Sequence, residues 1–226
     1  MNGILVMNKP PGIPSFKFMQ KVQRKLGIPK IGFLGTLDPA ASGVLVLLCG
    51  NYTKRADELH QSTKVYQSQF TFGIETDTLD AEGQVIAKSD VIPSLRDVVE
   101  AIQSLIGNIE IEIPKFSAVH INGKRAYDLA RSGVDFTPPT KTVKIHRFEL
   151  LSHCEEQSDE AIPNGHWWFE IEAQTGTYIR SLAKLLAQKL NTLAIASTII
   201  RTRVGNFKIE DAKSLEEVTI SDIIQI

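Results

Sequence analysis

Apolar residues recur along the chain in two rhythms, alternating in some stretches and three or four apart in others, which predicts interleaved strands and helices. Gly3-Ile4-Leu5-Val6-Met7 reads as a short apolar strand that stops at the turn cluster Asn8-Lys9-Pro10-Pro11-Gly12. Ser15 is the expected N-cap of a helix ended by Gly27, with Phe16, Met19, Val22 and Leu26 near one stripe. The run Val44-Leu45-Val46-Leu47-Leu48-Cys49 suits a fully buried strand and is too short to cross a membrane. A helix over 52–60, a β-rich strand over 64–73, an acidic loop over 75–83 and a strand over 84–88 follow. Ser94-Leu95-Arg96-Asp97 fits a capping box, opening a helix to Gly107 with Leu95, Val98, Val99, Ile102 and Ile106 inward. Ile109-Glu110-Ile111-Glu112-Ile113 alternates strictly, as a half-buried strand does. Strands over 141–152 and 167–173, a helix to Leu190 with Leu182, Leu185, Leu186 and Leu190 inward, and short elements complete the pattern. The spacing is not regular βαβ, so the expectation is an α+β fold with a mixed, mostly antiparallel central sheet flanked by helices and loops.

Composition bounds the class. The 226 residues suffice for one domain or two small ones, and 42% hydrophobic with 23% charged residues is ordinary for a globular protein. A net charge of -1 gives no overall attraction to nucleic acid, so any such binding needs a local basic face. Cys49 and Cys154 are the only cysteines and lack C-x-x-C spacing, which disfavours a thiolate metal site or disulfide scaffold and suits a reducing cytosol. The five histidines lack metal-ligand spacing, so no metal or cofactor is expected. The start of the chain has no basic leader or cleavage site, so a cytoplasmic protein is expected.

Candidate chemistry concentrates in three stretches. Gly35-Thr36-Leu37-Asp38-Pro39 puts one carboxylate on a glycine-flanked turn beside the buried run. Asp38 there is either a catalytic acid on a loop or the cap of a short helix begun by Pro39. In 114–133, Lys124, Arg125 and Arg131 cluster with Tyr127 around the Asn122-Gly123 turn. Such a set suits phosphates and unstacked bases, or else forms a solvated basic helix. Arg180 falls in a first helical turn, where a cation opposes the helix dipole and calls for a nearby carboxylate.

Taken in order, these stretches resemble the TruB family of tRNA pseudouridine synthases. The resemblance rests on Lys9-Pro10-Pro11-Gly12, Gly35-Thr36-Leu37-Asp38-Pro39 through Ser42-Gly43-Val44-Leu45, Lys64-Val65-Tyr66 before Thr76-Asp77-Thr78, Ser117-Ala118 with Gly123-Lys124-Arg125-Ala126-Tyr127, and Gly176-Thr177-Tyr178-Ile179-Arg180. It implies the pseudouridine synthase fold as a single catalytic domain over 1–226, without the C-terminal PUA domain of many relatives. It implies isomerisation of the T-loop uridine (position 55 of tRNA), with Asp38 as the essential aspartate. That aspartate would act as a nucleophile at C1′ or C6, or assist loss of a 2′ proton. By the same resemblance Arg180 pairs with Asp38, Tyr66 stacks on the extruded uracil, and Tyr178 and Ile199 fall at base-pocket positions. Lys9, Lys64, Lys124 and Arg125 would face RNA phosphates or shape the pocket floor. The implied partner is the T stem-loop of tRNA, bound by a monomer with neither membrane nor metal.

The chain also departs from the family pattern. Phe33 stands where His is usual, His120 where Lys is common, and Ile200-Arg201-Thr202-Arg203 is one cation poorer than the usual run. A tRNA-binding or folding factor that has lost the chemistry is the alternative. Intact Asp38, Tyr66 and Arg180 favour the enzyme, and a carboxylate hydrolase lacks a clear second acid.

Overall fold

The computed structural model describes residues 2–60, 62–121, 123–151 and 165–225. The first strands are β1 (Gly3–Lys9), β2 (Ile31–Leu34), β3 (Ser42–Cys49), β4 (Lys64–Phe72), β5 (Ile74–Thr76) and β6 (Val85–Lys88). They are followed by β7 (Gly107–Glu112), β8 (His120–Ile121), β9 (Lys124–Arg125), β10 (Thr140–Leu151), β11 (His166–Ala173), β12 (Ala194–Val204) and β13 (Phe207–Lys208). The helices are α1 (Ser15–Leu26), α2 (Ala56–His60), α3 (Leu95–Gln103), α4 (Ala126–Arg131) and α5 (Ile179–Lys189). Two compact units are formed, one from Met1–Gln67, Glu172–Gly176 and Ile199–Ile226, the other from Ser68–Ile171 and Thr177–Thr198.

In the first unit the strand order is β1-β3-β12-β4. β1 lies antiparallel to β3 from Gly3 opposite Cys49 to Lys9 opposite Gly43, and β2 antiparallel to β3 from Ile31 opposite Cys49 to Leu34 opposite Val46. β12 meets β3 in parallel, Ile200 opposite Ser42 and Arg201 opposite Gly43, which makes the pairing mixed. Alternate side chains of β3 enter different cores. Leu45, Leu47 and Cys49 join Leu5, Met7 and the inner stripe of α1. Val44, Val46 and Leu48 join Ile4, Val6, Leu34 and Val204. The expected doubly buried strand is therefore present, and each buried aliphatic side chain contributes about 1.5–3 kcal/mol.

Helix α1 has the expected bounds, closed by Gly27 in the left-handed region (φ 63). Its buried stripe is Ser15, Phe18, Met19, Val22 and Leu26, while Phe16 is 57% exposed. The stripe begins at Ser15, and the next residue lies about 100° round the helix, so Phe16 points away. Nor does Ser15 cap the helix: Pro14 takes that place, and the Ser15 hydroxyl turns to Leu37 instead. The helix expected over 52–60 is a 3-10 helix over Gly50–Arg55 followed by α2. There the Thr53 hydroxyl donates to the Gly50 carbonyl (2.9 Å), an alternative to a backbone α-helical bond.

The second unit has the strand order β4-β11-β10-β7, with β10 antiparallel to β7. Phe70, Phe148 and Phe169 pack at its centre with ring centroids 4.8–6.3 Å apart. Trp167 is buried, as expected of a packing tryptophan. Ser94 caps α3 by accepting the Asp97 N–H, but the helix stops at Gln103 and buries only Val98 and Ile102. Leu95, Val99 and Ile106 stay partly in solvent because only one narrow stripe meets the core. The acidic loop opens as β5, which pairs with β6. Asn122 and the polar segment 153–164, with His153 and Cys154, lie outside the described residues. Among the described residues no helix is long and apolar enough to cross a membrane.

Candidate active site

Asp38 sits half-buried on the turn between β2 and β3, in backbone that forms no helix. The capping alternative therefore fails; the Asp38 carbonyl accepts the Ala41 N–H (3.1 Å) and closes a single turn. Gly35 enters this turn at φ +65, and a Cβ there would meet Lys64 Cε at 3.1 Å.

Three buried polar side chains from other elements hold this turn. Lys9, at the end of β1, donates its ammonium to the carbonyls of Pro10 (2.8 Å), Ile13 (2.8 Å) and Pro39 (3.2 Å). Ser15 donates to the Leu37 carbonyl (2.8 Å) and accepts the Leu37 N–H (2.9 Å). Arg201, on β12, donates Nε–H to Val44 O (2.8 Å), Nη2 to Gly35 O (2.9 Å) and Nη1 to Thr36 O (3.4 Å). Each group left unpaired in such a setting costs about 1–3 kcal/mol, so the contacts specify the turn as well as tether it. Lys9 is fully buried, its ammonium engaged by the Pro10, Ile13 and Pro39 carbonyls.

Tyr66, on β4, is buried within electrostatic reach of the Arg201 guanidinium and the Asp38 carboxylate. Burial pushes the Tyr66 hydroxyl above the usual tyrosine range; the guanidinium opposes this and the Asp38 carboxylate reinforces it. Burial likewise pulls Arg201 down, with Tyr66 and Asp38 opposing. Asp38, Tyr66 and Arg201 thus form one electrostatic group within the first unit. Lys64 is also enclosed, its ammonium donating to Thr175 Oγ1 (2.5 Å) and Ser62 O (3.5 Å). Ile199 is buried two residues before Arg201, on the same face of β12. Sequence reading gave Arg201 no role; its signal was an arginine at the inward register of an apolar strand.

In the second unit, Arg180 opens α5 and is 3% exposed. It donates to Thr78 O (2.7 Å) and Phe116 O (3.1 Å), and Nη1 lies 3.4 Å from Asp80 Oδ2. The carboxylate called for by a cation at this helix start is present, and the pair is buried rather than a surface bridge. Asp80 is anchored in turn, Oδ1 accepting from Thr78 Oγ1 (2.5 Å) and the Glu82 N–H (3.0 Å). Its position in an acidic loop hid it from sequence reading. Tyr178 precedes α5 as its N-cap residue and is partly exposed.

Lys124 and Arg125 are exposed on the small hairpin of β8 and β9. The Tyr127 ring lies near the guanidinium groups of Arg125 and Arg131, at 5.8 and 5.7 Å, and its hydroxyl accepts from Arg125 (3.2 Å). His120, on the same hairpin, is exposed, and Phe33 packs partly buried against the α1 side of β3. Among the described residues no group of three or more His, Cys, Asp or Glu is placed to hold a metal ion.

Residues 23–179 match the family model described as TruB family pseudouridylate synthase (N terminal domain). The chain is 41% identical over 220 residues to the tRNA pseudouridine synthase B of Geobacillus thermodenitrificans, covering 96% of this chain and 72% of that protein. It is 36% identical to the tRNA pseudouridine synthase B of Borreliella burgdorferi, covering 100% of this chain and 77% of that protein. Among solved structures, a Cbf5-Nop10-Gar1 complex is similar with a TM-score of 0.71 and 26% identity, over 95% of this chain. The chain spans about half of that solved chain, 53%.

Proposed function

This chain belongs to the TruB family of pseudouridylate synthases, and we propose that it isomerises a uridine of tRNA, the T-loop uridine, to pseudouridine. The observation that carries the reading is Asp38 on a turn fixed by Lys9, Ser15 and Arg201, with the buried Tyr66 beside it. The reaction breaks the N1–C1′ bond, turns the uracil and joins C5 to C1′, so no electron acceptor or group donor is consumed. The base must first leave its stack, at a few kcal/mol that stacking on an aromatic ring offsets in part.

In this reading Asp38 acts directly on the extruded nucleotide. Tyr66 stacks on the uracil, and Ile199 borders the base. Exposed Lys124 and Arg125 take phosphates of the T stem-loop, which a monomer binds. The buried Lys9 and Lys64 do not contact phosphates and hold the framework. The test is to incubate the protein with an unmodified tRNA transcript and map pseudouridine by a base-specific chemical stop. Product at the T-loop uridine with the wild type, and none with Asp38→Asn, is expected. Equal product from both proteins refutes the role of Asp38, and RNA binding without product from either refutes catalysis.

A further inference from the structure

We propose that the outer face of α1 is a second RNA surface, taking phosphates of the tRNA strand that leads away from the Asp38 turn. The inference rests on the proposed function and adds to it a place where the substrate's backbone lies. Lys17, Lys21 and Arg24 fall within an arc of about 60° opposite the buried stripe of α1, and all three are exposed. The helix holds no acidic residue, so Lys17 repels Lys21 four positions on, and Lys21 repels Arg24 three positions on, with nothing to offset either. Lys17 also stands in the first turn, where a cation opposes the helix dipole. Cations of other helices are matched by carboxylates, Arg96 by Glu100 on α3, and Lys184 of α5 by Glu75 and Glu112. Among the described residues no carboxylate pairs with Lys17, Lys21 or Arg24, whereas Lys25 is held by the carbonyls of Leu215 (2.8 Å) and Glu216 (2.6 Å). This face therefore works against the helix that carries it, and a polyanion is the partner that reverses the sign.

Its place in the fold points to the substrate strand. α1 begins at Ser15, whose hydroxyl grips Leu37, so the line of cations starts two residues from a contact with the Asp38 turn. From there it runs about 14 Å along the helix axis to Arg24. Lys21 also lines a cleft of about 580 Å³ together with Pro10–Ile13 and Ser42; Glu216 is the one acid on that cleft. A lipid surface fits less well, because the core consumes the apolar stripe of α1 and leaves only Phe16 outside.

The experiment measures binding of an unmodified tRNA transcript over a salt series, for wild type and for a triple variant, Lys17→Gln with Lys21→Gln and Arg24→Gln. With one phosphate neutralised by each side chain, the slope of log affinity against log salt falls by about 2–3. The wild type then loses about 20- to 40-fold more affinity than the variant between about 50 and 200 mM salt. A matched variant of exposed lysines in the second unit, Lys88→Gln with Lys141→Gln and Lys189→Gln, should keep the wild-type slope. Lys21→Glu separates folding from binding: it sets an acid between Lys17 and Lys25, so RNA binding should weaken while the melting temperature does not fall. An unchanged slope in the triple variant overturns the proposal. So does an equal fall in the matched variant, since net charge alone then explains the effect, or a Lys21→Glu protein that is less stable yet binds as before. Vesicles of phosphatidylserine and phosphatidylcholine that bind wild type but not the triple variant, with the tRNA slope unchanged, assign the face to lipid and overturn it too. Pseudouridine is scored separately on the same transcript: a wild type that binds and makes none refutes the proposed function, while the slope alone decides the surface.

Discussion

Asp80→Asn replaces one oxygen with an amino group beside the buried Arg180. The variant keeps the volume and retains Oδ1 as acceptor for Thr78 Oγ1 and the Glu82 N–H, so the main loss is the charge. At 3.4 Å and an effective dielectric of about 20, the lost attraction is about 5 kcal/mol before desolvation is counted. Asparagine is easier to bury than a carboxylate, and Arg180 keeps the Thr78 and Phe116 carbonyls, so the net loss should fall to about 3 kcal/mol. For a chain of this length that corresponds to about 6–12 °C in melting temperature. Urea unfolding of both proteins measures it, a lower midpoint at unchanged slope being the expected result. Asp80→Ala should lose more, since the Thr78 hydroxyl and Glu82 N–H then also lack an acceptor. A loss below about 1 kcal/mol for Asp80→Asn would refute the reasoning, because removing one partner of a buried ion pair costs more than that.

Other consequences are open to direct measurement. Ser15→Ala should destabilise by about 1–3 kcal/mol in a thermal melt, because the Leu37 N–H and carbonyl both lose their partner; a neutral result would show that the turn closes without the hydroxyl. Lys124→Ala with Arg125→Ala should leave stability within about 0.5 kcal/mol, weaken RNA binding and flatten its salt dependence by about 0.7–0.9 for each phosphate no longer neutralised. An unchanged salt slope would place RNA elsewhere. The Thr219 backbone and side chain hold the Asp222 carboxyl below its usual range. Its stabilisation is thus present above the unfolded carboxylate pKa and lost as pH falls through the lower folded value, so Asp222→Asn should flatten the acid limb of stability. Tyr66 has the opposite sense: raised by burial, it stabilises below the ordinary tyrosine pKa, and that contribution is lost as pH rises through its folded value. Tyr66→Phe should therefore blunt alkaline unfolding.

What sequence could reveal followed from periodicity, and what it missed depended on long-range packing. The apolar run of β3 was readable because burial on both faces leaves no polar position to interrupt it. Gly27 was readable because a left-handed residue ends α1. Phe16 read as part of the α1 stripe, whereas Phe18 is the residue that joins the core with Leu5 and Leu47. The burial of Lys9 and Lys64 was not legible, because lysines are almost never enclosed unless their ammonium finds acceptors, and those acceptors are backbone carbonyls and a hydroxyl supplied by the fold. Arg180 announced the need for a carboxylate, yet Asp80, far earlier in the chain, was not identifiable before folding. Asp38 itself stood out by its glycine-flanked turn, whereas Arg201, which braces that turn, looked like one more basic residue in a strand.

The hold on the Asp38 turn runs through its main chain, and this bears on transplantation. Residues 35–39 grafted onto an unrelated protein would carry the carboxylate and leave behind the clamps that set its direction. Conversely, Thr36 and Pro39 have outward side chains and only their carbonyls are gripped, so changes there should be tolerated better than changes at Lys9, Ser15 or Arg201. The shape of this pentapeptide is encoded mostly by residues outside it.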